Sequence, residues 1–234
     1  PWLHEFAQCP STLILDDVVR VYFSSRPERD PHGLYTSNTT FLDLDRDDLT
    51  RVVRVADKPL LQLGGLGCFD EFGIYPSSVI RIDDAIYFYY AGWTRTSSVF
   101  ADLSIGVAVS GDGEDFERLG DGPILTKSLH EPFQLSGPKV RRFGGRLYMF
   151  YIAGEHWLLT DEGQSETFYK IRVATSNDGL TWAKHGKNLL NAVLDNECQA
   201  GPDVFEYGGL YHMYFSFRYG LDFRGNDRGY RIGY

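Results

Sequence analysis

The stretch ECQAGPDVFEYGGLYHMYFSFR, residues 197–218, contains a glutamate, a proline five residues later, and two apolar segments separated by a glycine turn. The same order of features occurs in EFAQCPSTLI (5–14) and EFGIYPSSVI (71–80), and also in EPFQLSGPKV (131–140), where the glutamate lies two residues further from its proline. Self-similarity at a fixed period indicates a repeat architecture. The four prolines that mark the repeat, spaced by 66, 62 and 64 residues, are Pro10, Pro76, Pro138 and Pro202.

Each unit contains the pattern of several short strands. After the proline comes an apolar strand, then a turn rich in Asp or Gly, then an aromatic strand such as IYFYYAGW (86–93) or LYMFYIAG (147–154). A third strand follows in SIGVAVS (104–110), IRVATS (171–176) and YRIGY (230–234). In two units it runs into a Ser-x-Asp-Gly hairpin, SGDGEDF (110–116) and SNDGLTW (176–182), where Asp-Gly suits a positive-φ turn. Helical periodicity is absent, so we expect few helices.

Four short strands per unit of about 64 residues predict an all-β fold, a β-propeller of four-stranded blades. A β-sandwich or a β-helix is the alternative, but the former lacks such regular repetition and the latter repeats at a shorter period. We expect a five-bladed type with its C-terminal part missing, because the fourth unit stops at its third strand. The prediction is one domain, residues 1–234, with blade 1 at about 5–60, blade 2 at about 69–126, blade 3 at about 130–191 and a partial blade 4 at about 196–234.

Composition limits the partners. The formal charge of −9 argues against nucleic acid and anionic membranes, which require a basic surface. No apolar run is long enough for a transmembrane helix, and PWLHEFAQCP at the start has no signal-peptide pattern, although an initiator Met is also absent. We therefore expect a cytoplasmic protein without a membrane partner. Three cysteines are too few for a disulfide framework, and we expect Cys9 and Cys198 to be buried.

The repeated acids suggest chemistry. In a propeller, the residue before the first strand of a blade points into the central funnel, so these acids are expected around one opening. Like charges crowded together raise the pKa of at least one carboxyl while another stays low. Two carboxyls with different pKa values are suited to be the acid and the base that hydrolyse a glycosidic bond. The alternative is that each acid is a structural hydrogen-bond acceptor of the repeat. The candidate catalytic residues are Glu5, Asp70, Glu71, Glu131 and Glu197.

The second strands end in groups suited to binding a sugar. Arginines at these ends are expected to pair with the acids and to hold their ionised form, while aromatic faces are suited to a sugar ring. Inter-blade packing is an equally weighted alternative for the tryptophans. The candidate substrate-binding residues are His4, Arg26, Trp93, Arg95, His130 and Arg218.

The units at 69–95, 130–154 and 197–218 resemble the five-bladed β-propeller glycosidases of the arabinanase, levansucrase and invertase superfamily, glycoside hydrolase family 43-like, and most closely its uncharacterised members. By position, the resemblance implies that Glu5 is the base, that Asp70 or Glu71 tunes a pKa, and that Glu131 is the general acid. It also implies an inverting reaction. The first blade offers Glu5 where the hydrolases use Asp, and Glu197 is an additional acid candidate.

The implied partner is a carbohydrate or glycan. No cofactor and no metal site is predicted, since the acidic stretch LDLDRDDL (42–49) lacks the glycine and terminal glutamate of a calcium loop. Two other functions remain open: a non-catalytic glycan-binding or scaffold propeller of polysaccharide biosynthesis, and a glycosyl transferase or phosphorylase in which Arg26 and Arg218 grip a phosphate.

Overall fold

The computed structural model describes residues 2–224 and 227–234, and only the backbone of Pro76. It contains four antiparallel sheets, here called blades 1 to 4, each built from strands consecutive in sequence. The strands of blades 1 and 2 are β1 (Glu5–Ile14), β2 (Val18–Arg26), β3 (Asn38–Asp45) and β4 (Val52–Val55), then β5 (Gly73–Ile82), β6 (Ala85–Thr94), β7 (Asp102–Ser110) and β8 (Glu117–Arg118). Those of blades 3 and 4 are β9 (Leu135–Phe143), β10 (Arg146–Leu159), β11 (Ser165–Ser176) and β12 (Ala183–Lys184), then β13 (Glu197–Tyr207), β14 (Leu210–Tyr219) and β15 (Arg231–Gly233).

The strand order confirms the all-β prediction of repeated blades. Three blades have four strands and blade 4 has three, so the described residues form four blades. The five-bladed type is therefore not confirmed and, with the missing C-terminal part, stays a prediction. None of the described residues forms a helix that is long and apolar enough to cross a membrane.

The repeated prolines lie where the first strand of each blade departs from regular pairing. The pairing of β1 with β2 shifts between Gln8 and Ser11, and that of β13 with β14 shifts between Ala200 and Asp203. The β5 and β9 ladders shift at the corresponding places. Proline has no amide hydrogen to donate to a ladder and is tolerated at such bulges. The repeat in the sequence is thus a repeat of bulged first strands.

The residue before the proline has a left-handed backbone in three of the blades. Gly137 and Gly201 both have φ of +56°, while Cys9 has φ of +54° at the matching position of β1. Cys9 is exposed and Cys198 is buried, so the expectation that both are buried is wrong for Cys9. A residue with a Cβ atom is strained at this φ. Cys9 is the one non-glycine residue of the three and therefore bears this strain.

The chain forms two compact units, each with its own core. Unit 1 comprises Pro1–Thr94 and Ile105–Pro123, that is, blade 1 and most of blade 2. Its core is largely aromatic and includes Tyr22, Phe41, Phe88 and Phe116, with ring centroids of neighbouring pairs 5.3 to 6.3 Å apart. In unit 1 the second strands β2 and β6 supply most of the buried rings, and each lies inside its sheet with a neighbour on either side.

Unit 2 comprises Arg95–Ser104 and Ile124–Tyr234, which includes blades 3 and 4. Phe150, Val173 and Val204 form one apolar cluster, and Phe168 and Tyr169 pack with the thiol of Cys198 in another. The β10–β11 hairpin is the longest of the described part of the chain, with 14 and 12 residues in its two strands.

The two Ser-x-Asp-Gly hairpins have the expected turn. Gly113 and Gly179 have φ of +78° and +76°. The carboxylate of Asp178 accepts hydrogen bonds from the backbone of Thr181 at 2.7 Å and Leu180 at 2.8 Å, and these contacts hold its pKa well below the ordinary value. A Cβ at Gly113 would lie 2.8 Å from the hydroxyl of Tyr22, so glycine is also required there for packing.

Candidate functional site

The acids of the repeat are not equivalent in the structure. Glu5 and Glu197 are the first residues of β1 and β13, whereas Asp70 and Glu71 lie before β5, which begins at Gly73. Glu131 lies before β9, which begins at Leu135. The distance from the acid to the start of the first strand therefore differs between the blades.

Asp70 is buried, with 1% of its surface exposed, and it is held within unit 1. Its Oδ2 atom accepts hydrogen bonds from the hydroxyl of Tyr90 on β6 at 3.1 Å and from the guanidinium of Arg118 on β8 at 2.7 and 2.9 Å. Asp70 therefore connects the second and fourth strands of its own blade.

Glu131 has matching contacts in unit 2. It is 1% exposed, and its Oε1 accepts a 2.8 Å hydrogen bond from the hydroxyl of Tyr151 on β10. Oε1 also lies 3.2 Å from Arg172 of β11, and Oε2 lies 2.7 Å from the ammonium of Lys184 on β12. Burial raises the pKa of the Glu131 carboxyl, but the contacts with Lys184, Tyr151 and Arg172 outweigh it, and the pKa lies below the ordinary value.

The lowered pKa runs against the general-acid role that the resemblance implies for Glu131, because a general acid has to hold its proton near neutral pH. The shared feature of Asp70 and Glu131 is a tyrosine 20 residues later on the second strand. The repeat pattern did not predict this acid–tyrosine–cation arrangement, although Tyr90 in YFYYAGW (87–93) and Tyr151 in YMFYIAG (148–154) were a visible signal. The other two blades have Ser25 and Phe217 at that spacing from Glu5 and Glu197.

Glu197 and Glu71 each accept backbone hydrogen bonds. In Glu197, which is 2% exposed, Oε2 accepts from the amides of Val193 at 2.9 Å and Leu194 at 3.1 Å, and Oε1 accepts from Gln199 at 2.7 Å. These donors, two from the loop before β13 and one from β13 itself, satisfy the carboxylate. Glu71 is half-buried and accepts one hydrogen bond, from the amide of Gly67 at 3.1 Å.

Glu5 differs from the other acids because its carboxylate is half-buried and has no hydrogen-bond or ion-pair partner among the described residues. It is opposite Arg26 in the β1–β2 ladder, and directly opposed residues of a ladder project their side chains from the same face. The backbone there is fixed, since the hydroxyl of Ser25 donates to the Glu5 carbonyl at 3.0 Å and the amide of His4 donates to the Arg26 carbonyl at 3.1 Å.

Aromatic rings surround the Arg26 guanidinium. Its Cζ atom lies 3.7 Å from the ring centroid of Tyr35 and 4.8 Å from that of Phe6. One Nη atom is 3.5 Å from the hydroxyl of Tyr75, which also receives a hydrogen bond from Ser37 at 3.3 Å. The Nε atom of Arg26 is buried and has no partner among the described residues. The expected pairing of Arg26 with a carboxylate is absent there, and the aromatic rings take its place.

Trp93 extends this aromatic wall. Its ring centroid lies 5.7 Å from that of Tyr35 and 6.1 Å from that of Phe72, and the residue is buried, which favours the packing interpretation of its ring. Its indole nitrogen has no acceptor among the described residues. Within the described residues, unit 1 thus combines a carboxylate without a partner, an arginine with an unused donor, and the rings of Phe6, Tyr35, Phe72 and Trp93.

The side chains of the remaining predicted binding residues have other contacts. Arg218 is 3% exposed, donates to the carbonyls of Tyr219 and Gly220, and stacks on Phe223 with its Cζ 3.5 Å from the ring centroid. The expected pairing with a carboxylate is not found within the described part of the chain. His4 is exposed, with its Nε2 atom 3.9 Å from Glu28. His130 is exposed next to buried Glu131, and Arg95 is half-buried.

Several solved structures with the same fold are glycoside hydrolases. A thermostable family-43 glycoside hydrolase superposes with a TM-score of 0.67 over 99% of this chain and 72% of its own, at 18% identity. The endo-arabinase of Bacteroides thetaiotaomicron gives 0.63 over 99% and 75%, at 14% identity, and the GH32 β-fructofuranosidase BmSUC1 of Bombyx mori gives 0.64 over 97% and 45%, at 17% identity. The likeness shows the fold of the family-43 and invertase-type β-propellers.

No model of a known protein family matches the sequence. A Beta-1,2-mannobiose phosphorylase from Thermoanaerobacter sp. (strain X514) is 24% identical over 147 residues, which is 58% of this chain and 45% of the phosphorylase. Two proteins of Mycobacterium tuberculosis, Uncharacterized protein Rv1502 of strain H37Rv and Uncharacterized protein MT1551 of strain CDC 1551, are each 32% identical over 219 residues, 93% of this chain and 71% of theirs. With this propeller fold and this extent of identity, the chain belongs to the same family as these two mycobacterial proteins.

Proposed function

We propose that the chain is part of a carbohydrate-active enzyme that cleaves a glycosidic bond with water as the acceptor. The observation that carries the proposal is the half-buried carboxylate of Glu5, which has no partner in the described part of the chain and lies opposite Arg26 and its aromatic rings. Sugar sites combine apolar faces with a few polar groups, and this cluster offers both. The fold, found in glycoside hydrolases, supports the choice of reaction, although fold alone does not determine function.

The contacts of the acids divide them into two groups. Asp70, Glu131 and Glu197 are almost fully buried and each already accepts at least two hydrogen bonds or ion pairs, so we assign them positioning roles. Glu5 and Glu71 keep lone pairs and contact with solvent. We therefore propose Glu5 as the base that activates water and Glu71 as its partner in proton transfer.

In the proposed reaction, Glu5 takes a proton from water while the second carboxyl group gives its proton to the leaving oxygen. The bond from the anomeric carbon to that oxygen breaks as the bond to water forms, which inverts the anomeric centre. Arg26 and the hydroxyl of Tyr75 would hold sugar hydroxyls, and Tyr35 would face the ring. No cofactor is required for these steps.

The test is a screen of aryl glycosides of common pyranoses and furanoses with the protein, followed by NMR of the first-formed anomer. We expect release of the aryl alcohol and a free sugar whose anomeric configuration is inverted relative to the substrate. Binding of a glycan without any turnover would replace the proposal with the non-catalytic alternative.

Phosphorolysis is the second candidate, because the chain is similar to a β-1,2-mannobiose phosphorylase and Arg26 Nε has no acceptor among the residues that the structure describes. Phosphate would then replace water as the nucleophile and yield a sugar 1-phosphate. Incubation of β-1,2-mannobiose with and without inorganic phosphate separates the two: phosphate-dependent formation of mannose 1-phosphate favours this candidate, and phosphate-independent release of mannose favours hydrolysis.

A further inference from the structure

Unit 2 contains a pocket of about 240 Å³ that none of the acids above lines. The segment between β6 and β7 forms one wall, and the residues before β9 and the end of β10 form the other. The lining residues on which the inference depends are Thr96, Asp102, Lys127, Gln134 and Trp157.

The wall formed by the segment before β7 is fixed by hydrogen bonds. The hydroxyl of Thr96 donates to the carbonyl of Val99 and accepts from the amide of Val99 at 3.2 Å, which closes a tight turn. The amide of Phe100 donates to the hydroxyl of Ser165 on β11 at 3.0 Å. A wall held in this way is pre-organised, so less ordering is needed when a ligand binds.

Gln134 is held in the opposite wall. Its backbone carbonyl accepts a 2.9 Å hydrogen bond from the backbone amide of Gly154. A Cβ atom at Gly154 would lie 2.9 Å from Cβ of Phe133 and 3.4 Å from Cγ of Gln134. Glycine therefore permits the close approach of these two segments. The amide oxygen of Gln134 is buried and has no partner among the described residues. An unsatisfied buried acceptor is costly, and a ligand hydroxyl in the pocket would satisfy it.

The charged groups of the pocket neutralise each other. Asp102 and Lys127 form an ion pair at 2.5 Å, with side chains 31% and 42% exposed. Together they offer an acceptor and several donors but no net charge. The pocket is therefore better suited to an uncharged sugar than to a sugar phosphate or a uronic acid.

Trp157 provides the apolar surface. It is half-buried on β10, opposite Thr167 of β11, whose hydroxyl is also buried without a partner among the described residues. An indole face beside hydrogen-bonding groups is the combination that small-ligand sites use to fix orientation. We propose that this pocket binds one uncharged sugar unit of the glycan, with its ring on Trp157 and a hydroxyl donating to Gln134. The inference rests on the proposed carbohydrate activity and adds a substrate subsite to it.

A binding experiment tests the proposal. The ligands are the methyl glycosides of mannose, glucose, galactose and arabinofuranose, and calorimetry or ligand-observed NMR measures their affinity. We expect at least one neutral glycoside to bind, and glucuronate and mannose 6-phosphate to bind far more weakly. Trp157→Ala should weaken binding roughly tenfold, or about 1.4 kcal/mol. Gln134→Met should weaken binding while leaving Tm unchanged or higher, because it removes an unsatisfied acceptor at similar volume.

Trp182→Phe is the matched control, since Trp182 lies in the 176–182 hairpin outside the pocket and should leave affinity unchanged. If every neutral glycoside fails to bind, or if Trp157→Ala and Gln134→Met both bind as the wild type does, the subsite is overturned. If the protein binds glycosides through these residues but hydrolyses none of them, the subsite stands and the hydrolase proposal falls.

Discussion

The hydroxyl of Tyr151 donates a 2.8 Å hydrogen bond to Oε1 of Glu131, a residue 20 positions earlier that is almost completely buried. Tyr90 has the same relationship to Asp70 at 3.1 Å. In both blades a cation of the fourth strand, Lys184 or Arg118, completes the contact. The acid before the first strand is thereby tied to the second and fourth strands of its blade, which explains how a short irregular segment is held on a sheet.

Loss of one partner of this arrangement should lower stability. Glu131→Gln leaves Lys184 and Arg172 without a carboxylate in a poorly solvated place, where 18% and 12% of their side chains are exposed. We expect a loss of about 3 kcal/mol in the free energy of unfolding. Chemical denaturation measures it. A change within about 0.5 kcal/mol would contradict the structural role of Glu131.

The pKa of Glu131 predicts a pH dependence of stability. The folded-state pKa lies below the ordinary carboxyl value of 4.5, so the unfolded chain binds the proton more tightly. The contribution of Glu131 is therefore fully present above about pH 4.5 and is lost as pH falls below that value. Wild type should lose more stability between pH 6 and pH 3.5 than Glu131→Gln, in urea melts at each pH. If the free energy of unfolding of the two proteins falls equally with pH, Glu131 does not contribute this pH dependence.

The backbone of Cys9 offers a stabilising substitution. Cys9 has φ of +54°, where blades 3 and 4 have Gly137 and Gly201 with φ of +56°. Cys9→Gly should relieve strain of about 1 kcal/mol, since glycine adopts this region freely. A higher Tm is expected. Cys198→Gly, at a buried position with ordinary φ, is the contrasting variant and should lower Tm.

Gly92 is expected to be intolerant of a methyl group. A Cβ there would lie 2.5 Å from Cβ of Asp70 and 2.5 Å from the ring of Phe69, so the segment before β5 would be displaced. Gly92→Ala should cost about 1–3 kcal/mol through overpacking. Gly111→Ala is the control, because nothing lies within 4 Å of its Cβ position. Equal melting temperatures for the two variants would show that the close contact is unimportant.

The sequence predicts the blades because hydrophobic alternation, turn residues and bulge prolines are local signals. The roles of the acids depend on contacts with partners far along the chain, such as Arg118 for Asp70 and Lys184 for Glu131, and a repeat pattern carries no information about these. Glu5, Glu71 and Glu197 each lie five residues before the repeat proline, whereas Glu131 lies seven residues before its proline. Tyr35, which packs on Arg26, lies in a loop outside the repeat. Tyr75 lies on the bulged strand β5, but the matching residues of the other blades are Cys9, Gly137 and Gly201, so the repeat does not predict a tyrosine there.

The most direct test of the central claim is a comparison of Glu5→Gln with Glu131→Gln on an aryl glycoside that the wild type hydrolyses. The account predicts that Glu5→Gln keeps the wild-type Tm and loses roughly 10²- to 10⁴-fold in kcat, as expected when a general base is removed. Glu131→Gln should lower Tm and, at a temperature where it is folded, keep most of its kcat. Full activity of folded Glu5→Gln would contradict the assignment of Glu5 as the base.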